Sequence, residues 1–91
     1  MDDKPQLSEP ITVGEWRKNR QGESIRVRLN TYEEHNNLLD IRTWFTGDDG
    51  VLKPGKGFAY SIRHLPKLLD VLTKAAAKAR ELGILGEEER L

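Results

Sequence analysis

The apolar residues of this chain change their spacing once, near residue 62, and that change limits the folds open to it. Before it, in "SIRVRLN", Ile25, Val27 and Leu29 alternate with Arg26, Arg28 and Asn30. "LLDIRTWF" repeats the pattern, with Leu39, Ile41 and Phe45 on one side and Asp40, Arg42 and Trp44 on the other. A period of two belongs to a strand with one covered face and one wet face. After it, Leu65, Leu68, Leu72, Ala75, Ala79 and Leu82 recur at steps of three and four. That is the period of a helix with a single apolar stripe. Strands in one half and a helix in the other predict an α+β fold built on an antiparallel sheet.

Four strands are expected. "ITVGEWRK" (Ile11–Lys18) is β-branched and loosely alternating, and the turn formers of "NRQGES" end it. The two alternating segments above are the second and third, joined by the polar stretch Glu33–Asn37. "TGDDG" then turns the chain, since Asp-Gly tolerates positive φ. Pro54-Gly55 reads as a type II turn that projects Lys53 and Lys56 from the sheet edge. A short fourth strand, Gly57 to Ser61, is expected to bury Phe58 and Tyr60. Pro66 fits only the first turn of the helix, and Gly83 fits its C-terminal stop, with Lys78 and Arg80 opposing the dipole. The helix, as the only other apolar surface, is expected to cover the aliphatic face of the sheet.

Ninety-one residues hold one small domain. Residues 1–10 and 84–91 are polar and acidic and are expected to be unstructured, leaving 11–83 as the folded part. Such a core is marginal by itself, and the absence of cysteine removes disulfides and thiolate metal sites as staples. Oligomerisation is the remaining support. Ala75, Ala76 and Ala79 let a second helix approach closely, so together with Leu68, Leu72 and Leu82 they are the candidate homodimer interface. No apolar run approaches a membrane span, and the chain opens on acids rather than a basic leader. A cytoplasmic protein without a membrane partner is expected, nucleoid-associated if the source is bacterial.

Enzyme constellations are missing from the sequence. His35 and His64 are isolated, "DDG" lacks the closing Glu of a calcium loop, and "KPGKG" lacks the spacing and hydroxyl of a phosphate loop. A protein without enzymatic activity and without a cofactor is expected. Charge is balanced at 15 basic and 15 acidic residues, but its distribution is uneven. Trp16 to Arg63 carries nine basic and six acidic side chains, while the ends are acidic. If the second and third strands pair antiparallel, Arg26, Arg28, Arg42 and Trp44 share one face. Two readings of that face stand: a solvated antiparallel face, or a surface for unpaired nucleic acid. The second needs cations for phosphates and flat rings for bases. Candidate rings are Trp16, Tyr32, Trp44 and Phe45, and candidate cations include Arg17, Lys18, Arg20, Lys53 and Lys56.

"LLDIRTWF", "DDGVLKPGKG" and the Leu-rich helix after them resemble the single-stranded-DNA-binding domain of the transcriptional positive cofactor four family of coactivators. The resemblance spans roughly Trp16 to Leu82. It implies a four-stranded, strongly curved antiparallel sheet with a C-terminal helix, paired through the helices into a homodimer. It implies sequence-tolerant binding of single-stranded DNA in support of transcription regulation, or of replication and repair, with transcription or repair proteins as partners. Matched by position, the family's sheet arginine falls on Arg42, its stacking aromatic on Phe45 with Trp44 beside it, and its loop lysines on Lys53 and Lys56. The aromatic closing the preceding strand falls on Tyr32. Arg26 and Arg28 join the candidate site from alternation alone. The family's lysine-rich hairpin is replaced by "EEHNN", so no phosphate contact is expected there. Two other readings remain: a protein-interaction module whose sheet docks an acidic partner, and RNA as the ligand.

Overall fold

The structure, a computed structural model, describes residues 5–32 and 36–86. Four strands, β1 (Ile11–Arg17), β2 (Ser24–Tyr32), β3 (Asn36–Thr46) and β4 (Leu52–Ser61), form one antiparallel sheet in the order β1-β2-β3-β4. A 3-10 turn (Ile62–His64) leads into helix α1 (Leu65–Glu81). The expected α+β architecture is present: an antiparallel sheet followed by one C-terminal helix. The expectation about the acidic hairpin concerns Glu33, Glu34 and His35, which lie outside the described residues, as do residues 1–4 and 87–91.

Local chemistry sets the turns. Between β1 and β2, the side-chain oxygen of Asn19 accepts from the amides of Gln21 and Glu23, and Gly22 takes a φ of 89°. Between β3 and β4, the amides of Gly47 and Gly50 donate to Val51 O and Gly47 O, and Gly50 takes a φ of 80°. Helix α1 ends in a Schellman motif. The Ile84 amide donates to Ala79 O, the Gly83 amide donates to Arg80 O, and Gly83 has a φ of 77°. Pro66 lies in the first helical turn, where its missing amide costs no intrahelical bond.

Three expectations are corrected. Pro54-Gly55 is not a turn, because β4 begins at Leu52 and runs through it, and Gly55 is not a positive-φ glycine. β4 is an edge strand, so a residue without an amide can be carried there. Secondly, Phe58 and Tyr60, expected to be buried by the fourth strand, are exposed. The described part of the N-terminal segment makes two hydrogen bonds to the sheet. The Leu7 amide donates to Thr31 Oγ1, and Asn37 Nδ2 donates to Pro5 O. Thirdly, α1 does not lie on the sheet. It packs on the 3-10 turn and makes few contacts with the strands, lining grooves beside Tyr60 and Leu38.

The third correction has a large consequence for the core. Cross-strand partners share a face, so Ile25, Val27, Leu29, Leu39, Ile41, Phe58 and Tyr60 lie on one side of the sheet. Among the described residues, no second layer covers this side as a whole. Leu39 is the one buried apolar residue among the described ones, while Phe58 is 41% and Tyr60 50% exposed. On α1, Leu68, Ala76 and Ala79 are half-buried, but Ala75, Leu69, Val71, Leu72 and Leu82 are exposed. The other side of α1 carries ion pairs, Lys74 and Lys67 with Asp70, and Lys78 with Glu81. The molecule measures 45 × 41 × 17 Å. A single layer of that thickness leaves its apolar face without the second layer that a core requires.

Candidate nucleic-acid interface

The opposite face of the sheet begins from a row of registered residues. Arg26 stands across from Arg42, Arg28 from Asp40, and Ser24 from Trp44, with Glu15 and Arg17 of β1 alongside. Arg26, Arg28, Arg42 and Trp44 therefore share a face, as the alternation predicted, and Arg17 adds a fourth guanidinium to it. They engage one another. The guanidinium carbons of Arg26 and Arg28 lie 4.9 and 5.0 Å from the centre of the Trp44 ring. Each such contact contributes about 0.5–2 kcal/mol, more where water is excluded. Arg26 also pairs with Glu15.

Arg42 is more fully committed. Its Nε donates to both Asp40 carboxylate oxygens at 2.9 and 3.0 Å, and its Nη1 donates to Gly55 O at 3.2 Å. The hydrogen bond to Asp40 raises the guanidinium pKa above its ordinary value. Arg42 thus ties β3 to the Pro-Gly segment of β4. Gly57 permits that closeness, since a Cβ there would collide with the Cα and Cβ of Arg42 and the carbonyl of Ile41.

Phe45 lies on the other face. Neighbours along a strand point to opposite sides, and Phe45 lines a cleft of about 270 Å³ with Lys18, Glu23, Thr43, Gly55 and Lys56. The lysines reach this side through an irregularity. Between Arg42 and Trp44, β3 advances two residues while β4 advances three, from Gly57 to Pro54. Residues three apart on a regular strand face opposite ways. The extra residue returns Lys53 and Lys56 to one side, with Lys53 directly across from Phe45.

Charge differs between these cations. Lys53 Nζ is 3.3 Å from Asp49, whose carboxyl is held below the usual range by the Val51 amide and then by Lys53. The side chains of Lys18 and Lys56 have no ion pair among the described residues. Tyr32 closes β2 at the far end, paired with Asn36 and exposed. Trp16 is across from Ile25, on the aliphatic side, and half-buried. The eight candidate residues therefore divide between two faces: Arg26, Arg28, Arg42 and Trp44 on one, Phe45, Lys53 and Lys56 on the other, and Tyr32 at the hairpin end. The place of Lys18 in the cleft was not distinguished by sequence from its neighbours Arg17 and Arg20. Its backbone pairing with Glu23 across the first hairpin is what brings it there.

Residues 18–71, covering β2, β3, β4 and the first turns of α1, match the profile of the transcriptional coactivator p15 (PC4) family. The chain belongs to that family. No curated protein and no solved structure matches it. The p15 family is one of DNA-binding transcriptional coactivators, which bind single-stranded DNA and interact with transcription factors. The match contains Lys18, Phe45, Lys53 and Lys56, and also the whole Arg–Trp cluster, but not β1. Among the described residues, no three metal-ligating side chains converge, and no helix is long and apolar enough to cross a membrane.

Proposed function

We propose that this chain binds single-stranded DNA as a homodimer, with little sequence preference, in the service of transcription. One observation carries the reading: an aromatic ring, Phe45, lines a cleft together with Lys18 and Lys56, two lysines that have no ion pair among the described residues. A ring gives any base a surface to stack on, worth about 1–3 kcal/mol, and the ammonium groups follow the phosphates on either side. Lys53 lies directly across from the ring and extends the cationic path. Duplex DNA binds more weakly, because its bases are already stacked on one another.

The homodimer rests on the uncovered apolar surface. A 52%-exposed Leu72 beside Leu69 and Leu82, together with the bare Phe58 and Tyr60, is surface that a second copy of the chain would cover. Leu68, Ala75, Ala76 and Ala79 complete the stripe. Ala75→Glu would put a charge into that contact and convert dimer to monomer in sedimentation. A variant that stays dimeric would place the interface elsewhere.

Fluorescence anisotropy of a labelled single strand, against duplex of the same sequence and at several salt concentrations, tests the binding. Preference for the single strand, with log affinity falling linearly against log salt, supports the reading. No binding at low salt refutes it.

A further inference from the structure

Trp44 looks like a second platform for a base, yet its ring is already occupied. Two guanidiniums lie about 5 Å from its centre. A base stacking on a covered face of the ring would have to displace a guanidinium. The atoms around it are also unusual. Arg28 Nε and Trp44 Nε1 are buried donors with no hydrogen-bond partner, and Arg26 Nε has Glu15 as an ion-pair partner but no directed hydrogen bond. Unmet buried donors are costly unless an acceptor arrives. Arg28 has no ion pair among the described residues, and Arg17, in the row of Ser24 and Trp44, has none either. Against the three arginines of the cluster stand two carboxylates, Glu15 and Asp40. The cluster keeps a surplus positive charge, with donors gathered around one indole.

We infer that Trp44 is a positioning residue, which holds Arg26 and Arg28 as a phosphate-binding clamp on the face opposite Phe45. This rests on the strand-binding reading above and divides its labour. Phe45 stacks bases, while Trp44 fixes two guanidiniums whose donors take phosphodiester oxygens. Guanidinium donors match the oxygens of a phosphate in pairs, and an indole beneath them limits the rotamers they would otherwise lose on binding.

The test compares the salt dependence of single-strand affinity among variants. Each phosphate contact contributes about 0.7 to the log–log slope, so Arg26→Gln with Arg28→Gln flattens it by about 1.4. Trp44→Leu flattens it equally, because the arginines lose their seat, and combining all three changes adds nothing further. Trp44→Phe keeps the slope, since a ring remains. In a Trp16→Phe background Trp44 is the only indole, and its emission stays unquenched at saturating oligonucleotide. Should Trp44→Leu fail to fold, the phenylalanine variant, the arginine pair and the emission carry the test. Weaker binding by Trp44→Leu at unchanged slope overturns the clamp. So does quenching of Trp44, or an arginine-pair slope equal to that of the parent. In all three results the parent still binds, so strand binding itself survives. A parent that does not bind removes both.

Discussion

Trp44 and Phe45 are adjacent in sequence and chemically alike, but their surroundings are opposite. Trp44 sits under two guanidiniums, in a face where Glu15 and Asp40 answer part of the positive charge. Phe45 sits in a cleft beside Lys18 and Lys56, whose ammonium groups have no ion pair among the described residues. One ring is already in contact with cations of its own sheet, and on the proposed reading the other is left for a ligand. The lesson is that a ring among cations is not thereby a binding platform. What decides is whether the cations have already taken it.

Gly57 lets β4 approach Arg42 on β3, and breaking that approach has the largest expected effect. Gly57→Ala sets a methyl group against Arg42 and the Ile41 carbonyl, and forcing β4 away costs about 1–3 kcal/mol. At about 4–8 °C per kcal/mol in a domain of this size, the melting temperature falls by several degrees or more. Calorimetry reads this directly; an unchanged melting temperature would mean that the close approach is not required.

Removing the open ring comes next. Phe45→Ala is expected to cost about 1–3 kcal/mol of single-strand affinity while leaving the salt slope as it was. An affinity equal to that of the parent would erase the contrast between the two rings. A smaller change is expected from Lys56→Gln, which removes one ammonium and flattens the slope by about 0.7. A slope that does not move would show that Lys56 lies off the path of the strand.

The smallest effect concerns pH. The Val51 amide lowers the Asp49 pKa, so the fold favours the charged carboxylate. The stability this gives is present above the ordinary carboxylate pKa and is lost as pH falls through the lowered folded value. Asp49 is exposed, so the gain is slight. Asp49→Asn is expected to lower the neutral plateau of a stability profile slightly and so to flatten its acid limb, with no change below the lowered pKa.

The alternation of Arg26, Arg28, Arg42 and Trp44 against Ile25, Val27, Leu29 and Ile41 was legible in the chain because it is local. Each residue's side follows from its neighbour's. The helix, its proline start and its Gly83 stop were legible for the same reason, as φ, ring geometry and capping are properties of a few consecutive residues. Two other matters involve relations between distant segments, and no local period encodes them. The first is the extra residue of β4 against β3, which puts Lys53 and Lys56 beside Phe45 and turns an apparent Pro-Gly turn into strand. The second is the position of α1, which leaves Phe58 and Tyr60 on the aliphatic face of its own sheet exposed. Amphipathicity says that a face must be covered, but it does not say by which chain. The covering layer is chosen by the free energy of whole surfaces meeting, and the sequence pattern is the same whether that surface belongs to this chain or to another copy of it.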